Sequence, residues 1–252
     1  MPEALVGRIA LVTGASSGIG EMTAIALARA GAGVAIAARR AERLDAVVEK
    51  IRALHGRAIA LPADVSLEAA ARKTVADTVE HFGRVDILVN NAGIIQCDRV
   101  EDADTAQWRR VIDLNLMAVL YASTAVVPIM KAQGGGDIVN VSSMAGRRTS
   151  ADFNAYATSK HALNAMSDGM RQELGLSGIR VCIVAPGATT TEVAEGMIDS
   201  GQREAMRAHV SKDGAMKPED VAETIVHIVS LPRRANVSEI SILPTIDVRP
   251  AR

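Results

Sequence analysis

The chain has 252 residues, a hydrophobic fraction of 48% and a formal net charge of -1, which suits one large α/β domain with an aliphatic core. The charge offers no basic excess for nucleic acid or an anionic membrane surface, and the N-terminus lacks the apolar segment of a signal peptide. No apolar run approaches the roughly 18 residues of a membrane span, and two cysteines make no disulfide framework, so we expect a cytoplasmic protein without nucleic-acid or membrane partners.

Predicted strands and helices alternate along the chain. Seven apolar segments are predicted strands: 8–14, 34–39, 57–64, 85–93, 136–143, 179–187 and 238–243. Six segments with helical spacing are predicted helices: 19–33, 41–56, 67–83, 104–133, 154–175 and 218–230. We expect Pro128 to bend the fourth helix near its end, and we expect the less regular residues 188–217 to form a substrate lid.

The predicted strands are continuous apolar runs, which is typical of a parallel sheet buried on both faces. The sequence therefore predicts a doubly wound, mostly parallel, Rossmann-like α/β sheet of about seven strands in one domain, residues 1–252. Ligands of such sheets bind beyond the carboxyl ends of the strands. The residues that follow each strand are therefore the candidate site.

A glycine-rich turn, TGASSGIG, follows the first strand and places glycines at Gly14, Gly18 and Gly20. Such a turn lets the backbone approach a pyrophosphate at a helix N-terminus. The spacing is GxxxGxG rather than the usual GxGxxG, and glycines also permit tight packing of helix against strand. Dinucleotide binding and packing are both open readings of this turn.

Polar residues follow the third and fourth strands. Asp64 is either a helix-capping or turn residue or a hydrogen-bond acceptor for the exocyclic amine of a base. The segment NNAG, residues 90–93, either cross-links neighbouring strands or contributes to a site.

Ser143 ends the fifth strand, and Tyr156 and Lys160 follow in the next helix, four residues apart and therefore on one helix face. A lysine ammonium near a tyrosine stabilises the phenolate and lowers its pKa. With a serine hydroxyl nearby, the three groups form a proton-transfer site for carbonyl and alcohol chemistry. The alternative is an ordinary surface pair.

The second strand ends at Ala38 and is followed by Arg39 and Arg40. Enzymes that prefer NAD place an acidic residue at such a strand end to bind the 2′-hydroxyl of the adenosine ribose. Two arginines there favour the 2′-phosphate of NADP(H) instead, with Ser16 and Ser17 adding hydroxyls. We expect Arg39 to contribute more than Arg40, since it is the first residue past the strand; the alternative is a pair of solvated turn arginines.

Together, the segments TGASSGIG, PADV, NNAG, DLNL, IVNVSS, YATSK and Pro186–Gly187 resemble the short-chain dehydrogenase/reductases over nearly the whole chain. The resemblance implies a nicotinamide cofactor and the catalytic residues Asn115, Ser143, Tyr156 and Lys160, with a distorted helix at Asn115. It implies the following cofactor-binding residues: Gly14, Ser16, Ser17, Gly18, Ile19, Gly20, Arg39, Arg40, Asp64, Val65, Asn91, Ala92, Gly93, Tyr156, Lys160, Pro186, Gly187, Thr189 and Thr191. Residues 100–116 and 239–245 look like the branch of NADP(H)-dependent reductases that contains clavulanic acid dehydrogenase.

The resemblance implies an NADP(H)-dependent oxidoreductase that acts on a small carbonyl or secondary-alcohol substrate and assembles as a homotetramer or homodimer. A non-catalytic dinucleotide sensor is an alternative, although such relatives typically lack the tyrosine or the lysine. An epimerase or dehydratase is another, although those relatives are usually longer. The five histidines show no metal-ligand spacing. Arg147 and Arg148 are either solvated or attract an anionic substrate, and Trp108 is expected to pack rather than bind substrate.

Overall fold

The computed structural model describes residues 4–197, 199–210 and 214–248. Seven strands form one sheet: β1 (Ile9–Thr13), β2 (Gly33–Ala38), β3 (Arg57–Pro62), β4 (Ile87–Asn90), β5 (Gly136–Val141), β6 (Ile179–Pro186) and β7 (Glu239–Ile242). The α-helices are α1 (Gly18–Arg29), α2 (Ala41–Ala53), α3 (Glu68–Phe82), α4 (Thr105–Ile112), α5 (Ala118–Ala132), α6 (Asn154–Leu174), α7 (Ser200–Val210) and α8 (Pro218–Ser230).

Every strand pairs in parallel with its neighbours, in the order β3-β2-β1-β4-β5-β6-β7. The central strands are buried along their whole length, whereas the edge strands β3 and β7 are partly exposed. The predicted doubly wound parallel sheet of a single Rossmann-like domain is confirmed. The strand order reverses between β1 and β4, which is where such sheets open a ligand crevice.

Two hydrophobic clusters cover the two faces of the sheet. In β1, Val12 belongs to the cluster that includes helices α1, α2 and α8, whereas its neighbour Leu11 belongs to the cluster that includes α3 and α5. Successive side chains of a strand point to opposite faces, so a strand buried on both faces needs an unbroken apolar run. This is the physical reason that the strands read as continuous hydrophobic segments.

The predicted helix over 104–133 is two α-helices joined by a wider turn, Asp113–Met117, in which the Ala118 N–H donates to the carbonyl of Asp113 five residues earlier. The helix therefore departs from regular geometry beside Asn115, as the family resemblance implied. Helix α5 is continuous through Pro128 to Ala132, and the irregular turn at Asp113–Met117 precedes it.

A second difference lies in the predicted lid, residues 188–217. The sequence indicated no regular element there, yet α7 occupies Ser200–Val210, and its Met206 and Val210 pack in a small apolar cluster with Ala194 and Met197. These few apolar residues are spaced among charged ones, and tertiary packing rather than a strong pattern stabilises the helix. Residues 198 and 211–213 of the predicted lid lie outside the described residues.

The continuous helical stretch Thr105–Ala132 has 28 residues and a mean hydropathy of 1.6 in its most apolar window, 33% of which is buried. By length and composition alone it is apolar enough to cross a membrane, as buried helices of globular proteins also are. The expectation that no apolar run has this length is wrong. The remaining residues of the window are partly buried or exposed.

Candidate active site

The carboxyl ends of the strands surround one continuous cleft of about 1770 Å³. The cleft begins at the turn after β1, passes the ends of β2 to β5 and reaches the segment after β6. All predicted cofactor-binding residues except Gly20 line it, as do Ser143, Tyr156 and Lys160, whereas Asn115 lies behind the wall. Residues scattered over most of the chain therefore meet in one place.

The glycine turn packs tightly against the end of β4. A Cβ on Gly14 would lie 2.7 Å from the Cα of Ala92, and a Cβ on Gly20 would lie 2.4 Å from the Nδ2 of Asn91 and from the carbonyl oxygen of Gly14. The Asn91 amide donates to the carbonyls of Thr13 and Gly14, at 3.0 and 3.1 Å. The packing reading of these glycines is therefore correct, and Asn91 holds the turn in place.

The same turn also fits an anion. Gly18 opens α1 with a φ of +59°, and Ser17, which precedes it, makes no side-chain hydrogen bond to cap the helix. The first backbone N–H groups of a helix have no intrahelical partner and attract negative charge. The start of α1 is thus chemically suited to the pyrophosphate of a dinucleotide.

Asp64 has the turn role that the sequence left open. One carboxylate oxygen accepts from the Ser66 N–H at 3.1 Å and from the Ser66 hydroxyl at 2.7 Å. The residue also lines the cleft. Turn geometry thus fixes the position of a carboxylate that faces the ligand space.

Asn90 cross-links β4 to β5, as one of the two readings predicted. Its Nδ2 donates to the Oδ1 of Asn140 at 2.9 Å, and the Nδ2 of Asn140 donates to Ser167 of α6 at 2.8 Å. All three side chains are buried. The chain of bonds ties the helix that carries Tyr156 and Lys160 to the sheet.

Ser143 and Tyr156 meet in the cleft. The Ser143 hydroxyl accepts from the Ala145 N–H at 3.1 Å, which fixes its position after β5. Burial raises the pKa of Tyr156, and hydrogen bonding with the Ser143 side chain opposes that effect without cancelling it. The net direction is opposite to the lowering expected from Lys160, because the Lys160 Nζ lies 5.8 Å from the centre of the tyrosine ring and burial dominates. Tyr156 therefore carries its proton near neutral pH.

Lys160 is buried, with 4% of the residue exposed, and its Nζ donates to the carbonyl of Val141 at 2.9 Å. It forms no ion pair with any carboxylate in the described part of the chain, and burial lowers its pKa to about 8. An ammonium has three N–H donors. The remaining donors lie at the cleft and suit the hydroxyls of a ribose.

Asn115 is held by its side chain rather than exposed to the ligand space. Its Oδ1 accepts from the Ile94 N–H, and its Nδ2 donates to the Ile94 carbonyl, both at 2.9 Å, while Nδ2 also reaches the Ser159 hydroxyl at 3.1 Å. These bonds join the irregular turn Asp113–Met117 to the chain after β4 and to α6. Asn115 thus lies behind the wall of the cleft, bonded to Ser159 of the helix that carries Tyr156 and Lys160.

The two arginines after β2 differ. Arg40 donates to the hydroxyls of Ser16 and Ser17 and pairs with Glu192. Arg39 lines the cleft and forms no ion pair within the described residues. The expectation that Arg39 is the better placed of the two is not decided by these contacts, since Arg40 is the one already joined to the glycine turn. The reading of both as solvated turn residues is not contradicted, since Arg39 is exposed and 43% of the Arg40 side chain is exposed despite its bonds.

Arg147 and Arg148 are both partly buried and paired. Arg147 forms an ion pair with Glu239 of β7, and Arg148 donates to Asp247 at 3.4 Å and lines the cleft. The reading of these arginines as solvated is therefore wrong.

Trp108 also lines the cleft, while its indole nitrogen is buried without a partner among the described residues, so packing alone does not describe it.

Sequence reasoning missed Glu192. It follows Thr191 and accepts hydrogen bonds from both Arg40 and Arg43. No local sequence pattern predicts these two contacts, because Glu192 lies 152 residues from Arg40 and 149 residues from Arg43. Thr191 itself accepts from the Val193 N–H, and Thr189 bonds to the carbonyl of Gly187, so short turns set the segment's direction.

Known proteins that are similar to this chain identify its family. Residues 8–200 match the family described as short chain dehydrogenase. The chain is 31% identical to an uncharacterized oxidoreductase of Staphylococcus haemolyticus, over 95% of this chain and 98% of the relative. It is 37% identical to the glycine betaine reductase of Emericella nidulans over 95% of this chain, but it spans only 19% of that reductase.

Solved structures of dehydrogenases and reductases share the fold of this chain. A short-chain type dehydrogenase/reductase from Mycobacterium marinum superposes with a TM-score of 0.87 at 31% identity, covering 97% of each chain. A 7α-hydroxysteroid dehydrogenase complexed with NADH has a TM-score of 0.85 at 31% identity, over 94% of this chain and 93% of that one. A metagenomic short-chain oxidoreductase in complex with NADP has a TM-score of 0.82 at 32% identity, over 97% and 100%.

Proposed function

The chain belongs to the short-chain dehydrogenase/reductase family, and from that premise we propose that it is an NADP(H)-dependent oxidoreductase that interconverts a carbonyl and a secondary alcohol. The observation that carries the proposal is the meeting of Ser143, Tyr156 and Lys160 in the cleft that the glycine turn opens. The substrate is a small molecule.

The nicotinamide supplies or accepts the hydride when the cofactor is bound. Tyr156 donates its phenolic proton to the substrate oxygen during reduction, and its raised pKa keeps that proton in place near neutrality. Ser143 orients and polarises the same oxygen through its hydroxyl. Lys160 binds the ribose with its free donors and stabilises the phenolate that forms.

A panel of ketones with NADPH, followed by the loss of cofactor absorbance, tests this mechanism. We expect Tyr156→Phe to reduce kcat by at least about 100-fold, since general acid–base catalysis contributes that much, while cofactor binding persists. Tyr121→Phe is the matched control, because Tyr121 packs against the sheet and does not line the cleft. Turnover of Tyr156→Phe within tenfold of the parent would remove Tyr156 from the mechanism.

The preference for NADP(H) is proposed on charge. Ala38 ends β2 without a carboxylate to repel a 2′-phosphate, and Arg39 and Arg40 follow it at the cleft. Charge-assisted bonds of about 1.5–3 kcal/mol each would give a preference of about 100-fold or more from two bonds. Relatives with NADH and with NADP both occur, so the arginines rather than the family carry this argument.

Separate Arg39→Ala and Arg40→Ala variants, assayed with NADPH and with NADH, divide the preference between the two residues. Arg52→Ala, on the exposed face of α2, is the control. Equal efficiency of the unmodified protein with both cofactors would refute the preference.

We further propose a homotetramer or a homodimer, supported by the apolar stretch Thr105–Ala132, which the chain itself covers only in part.

We also propose that the protein belongs to the branch that contains clavulanic acid dehydrogenase, on the basis of residues 100–116 and 239–245. A cytoplasmic location is proposed from Cys97 and Cys182, which are both free thiols.

A further inference from the structure

A bridge of side chains spans the adenosine end of the cleft. Arg40 donates from Nε and Nη2 to the Ser16 hydroxyl, at 3.1 and 2.9 Å, and from Nη2 to the Ser17 hydroxyl at 2.8 Å. Its Nη1 donates to the Oε2 of Glu192 at 3.2 Å. Arg43, in the first turn of α2, donates to the same carboxylate oxygen at 2.6 Å. The bridge thus joins the glycine turn, the start of α2 and the segment after β6.

Glu192 keeps its negative charge in this position. Partial burial acts to raise the pKa of Glu192, but the hydrogen bonds and charges of Arg40 and Arg43 outweigh it and leave the pKa below its usual value. The carboxylate is therefore ionised at neutral pH. It supplies, from within the chain, an anion bonded to the arginine that follows β2.

That position is the one a 2′-phosphate would need. Arg40 follows the strand end at which the adenosine ribose lies in this type of sheet, and Arg40, Glu192 and both serines line the cleft. A phosphate and a carboxylate that approach one guanidinium repel each other, since both are negatively charged. A 2′-phosphate at Arg40 would therefore compete with Glu192 for the same guanidinium.

We propose that Glu192 is an internal competitor of the 2′-phosphate, which holds Arg40 and Arg43 in the free protein and is displaced when NADP(H) binds. The inference rests on the proposed NADP(H)-dependent function. NADH carries no 2′-phosphate and leaves the bridge intact. Glu192 thus sets how strongly the protein prefers NADP(H), by weakening NADPH binding and leaving NADH binding unchanged.

Direct titration of the purified protein with NADPH and with NADH, followed by nicotinamide fluorescence, tests the inference in Glu192→Gln. We expect the Kd for NADPH to fall about two- to fivefold, the range of an exposed ion pair, and the Kd for NADH to stay within the error. The gain should shrink in high salt, because salt screens exposed charges. In an Arg40→Ala background the gain should also shrink, because Arg43 alone remains to be released.

Glu195→Gln is the matched control. It removes the same charge from the same segment, but Glu195 forms its ion pair with Arg207, and neither Arg40 nor Arg43 donates a hydrogen bond to it among the described residues. An equal gain in Glu195→Gln would show a general effect of net charge and overturn the inference. Unchanged or weaker NADPH binding in Glu192→Gln would overturn it too, the latter by showing that Glu192 positions Arg40 for the phosphate. A parent protein that binds NADH as well as NADPH would instead overturn the proposed cofactor preference itself.

Discussion

Replacing Lys160 by methionine should stabilise the folded protein while abolishing its activity. Burial lowers the pKa of Lys160 from 10.5 to about 8, so the folded state binds the lysine proton less tightly than the unfolded state. Each pKa unit corresponds to about 1.36 kcal/mol. At pH 7 the buried ammonium therefore costs roughly 3 kcal/mol of folding free energy, an order-of-magnitude figure that Lys160→Met removes.

The sign of the pH dependence follows from the same shift. Between about pH 8 and 10.5 the unfolded chain binds more protons at this lysine than the folded protein does, so stability rises with pH in that window. At about pH 9.5 the cost falls to roughly 1.5 kcal/mol. The advantage of Lys160→Met over the parent should therefore shrink by about 2 kcal/mol between pH 7 and pH 9.5.

Urea unfolding at both pH values, at one protein concentration, measures this change. The pH dependence is decisive because the lost hydrogen bond to the Val141 carbonyl affects both pH values alike. Lys131→Met is the control, since Lys131 is exposed near the end of α5. A constant difference between parent and Lys160→Met at the two pH values would refute the reasoning, and would mean that water or a counter-charge solvates the ammonium.

Three other results are expected. Gly20→Ala should displace the glycine turn, and so weaken NADPH binding and lower stability, because its Cβ would lie 2.4 Å from Asn91 and Gly14. Gly175→Ala, with no atom within 4 Å of its Cβ, should do neither. Equal effects of the two substitutions in calorimetry and NADPH titration would contradict this. Asn140→Ala should cost about 2–4 kcal/mol in urea unfolding, since it leaves the buried amide of Asn90 without its acceptor; a loss below about 1 kcal/mol would show that the network is not needed. Light scattering should give two or four times 26.5 kDa, and a mass of one chain would exclude the proposed oligomer.

Most of the fold could be predicted from the sequence, because the inner strands of the sheet are buried on both faces and are therefore mostly apolar. All seven strands lie within the predicted segments or at most one residue outside them. The helices were predicted where an apolar face covers the sheet. Helix α7 was missed because it carries few apolar residues and packs on a small cluster with Ala194 and Met197.

The site divides in the same way. Ser143, Tyr156 and Lys160 were found because their chemistry is local: a strand end, and one helix face. The direction of the Tyr156 pKa shift was not predicted, because the burial of the phenol depends on every residue that surrounds it. Lys160 also affects that pKa less than its proximity in sequence suggested.

The sequence by itself predicted where each strand ends, and therefore which residues follow it at the site. Hydrophobic periodicity and turn chemistry act over a few neighbouring residues, so they can be recognised without the structure. Only the tertiary structure decided which of those residues touch. Arg40 rather than Arg39 donates to the glycine turn, and Glu192, 152 residues further along the chain, accepts a hydrogen bond from Arg40. Side-chain contacts of that kind depend on distances set by the whole sheet, and no local pattern in the chain encodes them.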